Sequence, residues 1–316
     1  MNTATTTLST PLPLAASAQD SARLLSGIAV GLVAASIGAL YTVYARWGIQ
    51  HGLHSPDLTV LRFGVAGVLM LPILALAWRR DRMQFTARWR VWVAIALLAG
   101  TPFGLLMFGA LQFAPASHAA VFPFAAMSVM GMVLGALAFG EKLSARKGVG
   151  IAVVLAGLLL VSGVDASSFS LRSALGDAMF LIAGTLWAGF GIVLRKNKLD
   201  PLLATAVVSF SALVTYVPVY FVLTGGQRLI DAAPNVFWIE VLVQGVIAGA
   251  GTLFTYAKMV SLLGPARAAV FPALAPGLAA LLAWPVLGHQ PAAAEAAGLL
   301  VAMTGLVIAV TTGSRR

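Results

Sequence analysis

The chain has 316 residues, of which 60% are apolar and only 9% charged, with a mean hydropathy of +0.95; soluble domains carry about 25% charged residues, so the composition excludes a water-soluble globule and places the chain in a membrane. The absence of cysteine excludes disulfides, thiolate metal sites and cysteine nucleophiles. The net charge of +10 would suggest nucleic acid in a soluble protein, but in a membrane the position of each charge matters more than the sum, and no nucleic-acid partner is expected.

Residues 1–22 are rich in Thr, Ser, Pro and Ala, and no Lys or Arg precedes the first apolar run. This predicts a disordered cytoplasmic tail, with the first span as an uncleaved insertion signal. Apolar runs bounded by charges, Pro or Gly follow at 24–46, 57–78, 90–112, 116–139, 147–163, 174–195, 201–223, 237–260, 267–287 and 294–311. Each is near the roughly 20 residues that a helix needs to cross the hydrocarbon.

Ten spans put both termini on one side. That side holds 16 of the 20 basic residues: Arg23, the five Arg of "WRRDRMQFTARWR", Lys142, Arg146, Lys147, the three bases of "RKNK", Lys258, Arg267, Arg315 and Arg316. The other side has Arg46, Arg172 and Arg228, with Arg62 a turn or two inside the second span. The excess marks the first side as cytoplasmic and predicts a multi-pass plasma (inner) membrane protein with both termini inside.

The pentapeptide "AAVFP" occurs at 119–123 and again at 268–272, an offset of 149. With the same offset "SIGALYTVYAR" (36–46) falls on "TLWAGFGIVLR" (185–195). After a one-residue slip, "FGEKLSARKGVGIAVVLAGLLL" (139–160) falls on "LGHQPAAAEAAGLLVAMTGLVI" (287–308), matching Gly150 and Gly157 to Gly298 and Gly305. The sequence is therefore read as two five-span repeats, 23–165 and 166–313, followed by a basic cytoplasmic C-terminus at 314–316. Five is odd, so the second copy must cross in the opposite sense, and aligned loops should exchange charge. They do: the loop after span 2 has five Arg where that after span 7 has only Arg228, and "GEKLSARK" has three bases where "GHQPAAAE" has none.

These features, together with "LW" and a basic residue eight positions on (Trp187, Arg195), the "FGEKLSARKGVGIAVVLAGLLLV" segment and "LRF" (Leu61–Phe63), resemble the drug/metabolite transporter (DMT) superfamily, EamA type, over essentially the whole chain. The resemblance implies an all-α polytopic fold of ten transmembrane helices in two inverted-topology repeats. It also implies a secondary carrier, often an exporter of amino acids or other small metabolites, with YddG-type exporters of aromatic amino acids the first expectation. The chain departs from the pattern at Gly38, the repeat partner of Trp187, at Met127 opposite Pro276, and at "GHQ" in the ninth span.

The substrate site is expected near the midplane between the repeats, lined by small and aromatic side chains. Trp187 lies mid-span, away from the interfacial belts, with Phe190 on the same face; both either line a cavity or pack. Phe103 and Met107, one turn apart in span 3, and Phe124, after Pro123 in span 4, are candidates for the facing wall or for ordinary packing. Tyr41 carries a phenol that needs a partner in hydrocarbon. In span 8, Gln244, Thr252 and Tyr256 recur at spacings of eight and four, read as one polar face turned inward. Lys258 either meets a substrate carboxylate or snorkels to the headgroups, and Arg62 has the same two readings. Pro123, Pro272 and Pro276 are candidate hinges.

Glu141 reads as a solvated cap or ion pair. Asp57, Asp165, Asp177, Asp231, Glu240 and Glu295 fall outside or at outer ends, so no carboxylate is expected to be buried mid-span. This predicts a facilitator or exporter that follows its solute gradient, unless a histidine supplies proton coupling. All four histidines (His51, His54, His118, His289) are placed in outer loops, and no phosphate loop, HExxH or metal-ligand cluster occurs. The chain is thus expected not to be an enzyme and to use no cofactor or metal. Its expected partners are membrane lipids and a small-molecule substrate, an amino acid or metabolite, handled by a monomer. A multidrug/proton antiporter and a non-transporting scaffold are the alternatives.

Overall fold

The computed structural model describes residues 13–140, 145–161, 170–263, 271–288, 290 and 292–311, and every element among them is helical. The first half contains α1 (Pro13–Gln50), α2 (Ser55–Arg80), the short α3 (Met83–Ala87), α4 (Trp89–Ala99), α5 (Thr101–Ala110), α6 (Ala116–Phe139) and α7 (Ala145–Val161). The second contains α8 (Leu171–Asn197), α9 (Pro201–Thr224), the short α10 (Gln227–Asp231), α11 (Pro234–Glu240), a π-helical segment (Val241–Gly251) and α12 (Thr252–Leu263). A 3₁₀ turn (Phe271–Leu274), α13 (Ala275–Leu287) and α14 (Ala293–Thr311) complete it. Glu141, Asp165, His289, Arg267, residues 1–12 and the C-terminal 314–316 lie outside the described residues.

Local chemistry sets the helix ends. Asp200 caps α9 by accepting the Leu203 N–H at 2.8 Å, and Pro201 opens the helix where its missing N–H costs nothing. Gly140 and Gly225 close α6 and α9 with φ of 67° and 64°, a left-handed conformation that only glycine adopts without steric cost. α1 begins at Pro13, earlier than the tail assigned to 1–22: Pro starts a helix well, and the Ala-rich stretch after it propagates one.

Among the described residues, seven helical stretches are long and apolar enough to cross a membrane, and three shorter apolar helices (Gly148–Gly157, Ala275–Leu287 and Ala296–Gly305) fall where spans five, nine and ten are expected. Three expected spans are not plain helices, span 9 among them with its 3₁₀ turn before α13. Span 3 is divided at Gly100 into α4 and α5, with Pro102 in the first turn of α5. Span 8 runs from α11 through the π segment into α12. Pro123 sits buried inside the continuous α6, Pro272 falls in the 3₁₀ turn, and Pro276 opens α13.

The helices pair in a pattern that the repeat predicts. α7 packs on α14 and α2 on α9, each a helix against its own counterpart; α6 packs on α8 as α13 packs on α1, and α8 on α4 and α5 as α1 on α12 and the π segment. Exchanging the halves leaves the pairing unchanged, as a two-repeat fold requires. The outer surfaces of α2 and α9 show exposed Val68, Leu69, Val222 and Leu223, apolar side chains suited to lipid.

One expectation about charge is corrected by packing. Asp57 and Glu240, placed by sequence at outer ends, are both fully buried, at 0% exposure. Asp57 accepts hydrogen bonds from the Tyr220 hydroxyl (2.6 Å), Arg228 Nε (3.1 Å) and the His54 backbone N–H (2.7 Å), tying α2 to α9 and α10. His118 is likewise buried, its Nδ1 2.7 Å from Asp177 across the α6–α8 contact. Hydropathy locates the ends of spans, but a neighbouring helix decides whether an end is wet.

Candidate functional site

Where the halves meet there is a narrow cleft. One wall comes from the first repeat: Arg62 and Phe63 of α2 and Ala99 at the end of α4. The facing wall comes from the second: Trp187 and Phe190 of α8, Thr205, Val208 and Ser209 of α9, Ala248 and Gly249 of the π segment, and Thr252. The helical break after Ala99 and the π segment at Ala248 are equivalent in the two copies, since the residues are 149 apart. Interrupted helices at matching positions of two repeats mark where a carrier leaves backbone geometry free to adapt around a solute.

The aromatic wall is held from behind. Trp187 is half-buried, its ring 4.9 Å from Phe103 and 5.5 Å from Phe190, so Phe103 supports the cleft and does not line it. Arg62 is 5% exposed, and its guanidinium lies 4.7 Å over the Tyr41 ring. Its Nη1 has no hydrogen-bond partner. A buried cation held on one face by an aromatic ring, with a donor unused, can still receive an anion. The backbone below is tight: a Cβ on Gly249 would lie 2.7 Å from Ala66 Cβ and 2.8 Å from the Arg62 carbonyl oxygen, so glycine lets the π segment press on α2 at the arginine's own turn.

The family model described as "EamA-like transporter family" matches residues 25–163 and again 174–311, nearly the whole chain in two copies. The chain belongs to the EamA-like transporter family. A solved structure described as "Crystal structure of protein" is similar in fold, with a TM-score of 0.62 and 20% identity over 90% of this chain and 96% of that one. No curated protein matches the sequence. Members of the family are membrane transporters and not enzymes, so this chain is a multi-pass membrane transporter of the two-repeat DMT fold.

The structure distributes the residues singled out by sequence unevenly around this EamA-like cleft. It brings Trp187, Phe190 and Thr252 into the lining, and sets Phe103 and Tyr41 directly behind it. Met107 is buried in the core of the bundle at 1% exposure, and Phe124 is half-buried on α6 beside Gly38. Gln244 points away from the cleft, its amide nitrogen donating to the Tyr41 carbonyl at 2.9 Å. The wider π turn displaces it from the face that an α-helical spacing of eight would share with Thr252. The side chain of Tyr256 lies outside the described residues, and Lys258 is exposed, apart from the lining. Thr205 and Ser209 were missed; a hydroxyl every fourth residue in an apolar span was the available signal.

Proposed function

We propose that this transporter is a secondary carrier working by alternating access, and that it moves small amphipathic solutes bearing a carboxylate, amino acids first among them, out of the cell. The observation that carries this reading is Arg62. An unpaired, buried guanidinium opposite Trp187 and Phe190 offers one site for an anion beside a surface for an apolar or aromatic body. The cleft is narrow, which suits a state in which the solute path is shut.

The multidrug-antiporter reading needs a carboxylate facing the solute. Asp57 is already engaged by three donors, Glu240 is not among the lining residues, and the ionisable group that does line the cleft is a cation. A carboxylate-bearing solute therefore fits better than a cationic drug. The export direction, the plasma-membrane location and the cytoplasmic termini rest on the charge distribution and the family's habit. A single-copy carrier suffices, because both walls come from one chain.

Reconstitution in liposomes tests this. In counterflow with a panel of labelled amino acids, at least one should exchange, with R62A weakening its apparent affinity by about 10–100-fold, the loss of one charge-assisted contact, and R62K recovering part of it. Exchange of no carboxylate-bearing solute, or equal exchange by wild type and R62A, would overturn the proposal.

A further inference from the structure

Away from the cleft, among the described residues, three buried side-chain oxygens accept no hydrogen bond of ordinary geometry: Oε1 and Oε2 of Glu240 and Oε1 of Gln244. They lie one turn apart where α11 passes into the π segment. The Gln244 amide nitrogen gives one hydrogen to the Tyr41 carbonyl, which fixes the side chain and leaves its second hydrogen beside the carboxylate without a bond of ordinary geometry. Across the interface stands Gly48 of α1, where any Cβ would lie 2.6 Å from Glu240 Oε1. The Gly48 backbone and the Gln244 side chain lie alongside the carboxylate, yet neither oxygen accepts a bond of ordinary geometry.

Among the described residues, no cation is paired with it. Arg46 of α1 donates to the Leu111 carbonyl, and His51 bonds the Trp47 carbonyl and stacks on the Trp47 ring. Arg62 of α2 sits on the Tyr41 ring, and Arg228, beyond α9, is paired with Asp57. The phenols of α1 are Tyr41, whose carbonyl takes the Gln244 amide, and Tyr44, whose ring packs edge-on against Trp47. Acceptors without a donor are what a missing proton leaves behind: a carboxylic acid supplies one O–H, and one such group would satisfy an acceptor and remove the buried charge together.

We infer that Glu240 is a proton-binding site coupled to the transport cycle, taking up and releasing one proton as the π segment rearranges. This rests on the transport reading above. The coupling has a physical route, since Glu240 caps the π segment that carries Ala248 and Gly249 of the cleft two turns on, and Tyr41 touches both Gln244 and Arg62. It departs from the expectation of an uncoupled facilitator, which rested on no carboxylate being buried mid-span and gave no weight to one buried at a span's outer end.

Two measurements on the purified full-length protein separate the possibilities. Infrared difference spectra across a pH titration should show a carboxylic-acid carbonyl band that disappears in E240Q and remains in D231N; the amide of E240Q provides the donor the site lacks, so the variant should fold. In liposomes, with the amino acid that gives counterflow as probe, an imposed pH gradient should drive accumulation in wild type. E240Q should lose that accumulation by tenfold or more and keep gradient-free counterflow. A carbonyl band unchanged in E240Q overturns the proton site whether or not any solute has been found. Counterflow in wild type without pH-driven accumulation, or accumulation driven by sodium in place of protons, overturns the coupling and leaves the carrier reading standing; loss of counterflow in wild type overturns the carrier reading itself.

Discussion

Gly157 lies directly against the backbone of Ala302, and their counterparts in the other copy, Gly305 and Val154, meet in the same way. Both pairs are related by an offset of 148, so one contact appears twice with the roles of the copies exchanged. Small residues at such crossings let helices approach closely enough to gain dispersion energy where lipid offers no hydrophobic drive.

Replacing either glycine should therefore open the α7–α14 seam. G157V and G305V are each expected to cost about 1–3 kcal/mol by overpacking and to lower the melting temperature in detergent by similar amounts. A large drop for one and none for the other would contradict the equivalence of the two contacts.

The buried Asp57 cluster should rank by how many donors a change strands. D57A leaves Tyr220, Arg228 and the His54 N–H without an acceptor and is expected to cost about 3–5 kcal/mol. Y220F removes one hydrogen bond and should cost about 1 kcal/mol. R228A should have the smallest effect, because the Arg228 side chain is 44% exposed and water replaces its partner. Thermal unfolding of the three variants gives the order directly.

Gly249 should be intolerant of size for a reason tied to transport. G249V would drive the π segment off the Arg62 turn of α2 and is expected to reduce counterflow at least tenfold in protein that still purifies as a single species. G131A, where added atoms meet nothing within 4 Å, should transport normally.

The absence of native cysteine allows the orientation to be read with single thiols. D231C and R82C both replace exposed residues. In intact cells an impermeant thiol reagent should label D231C, and it should reach R82C only after permeabilisation. Position 118 is unsuitable for this purpose, since His118 is buried against Asp177.

The repeat and the family were legible because both are one-dimensional: "AAVFP" returns at a fixed distance, and apolar runs announce helices whatever they pack against. The cleft was half legible. Trp187 and Phe190 stood out as aromatics far from a span's ends, whereas Ala99, Ala248 and Gly249 look like any small residues of a membrane helix and acquire their role from the breaks they occupy. Arg62 kept two readings until α1 was seen to put Tyr41 beneath it. The burial of Glu240 was not legible because it depends on Gly48, nearly 200 residues earlier, and nothing in the local pattern links them. The π segment had no signature, as its residues would serve an α-helix equally well.

The seam between α7 and α14 also bears on how the protein is made. α14 leaves the ribosome long after α7, yet α7 depends on it to cover a surface centred on Gly157. The first copy must wait in the bilayer with that groove filled only by lipid, and the seam closes only once the second copy has been made.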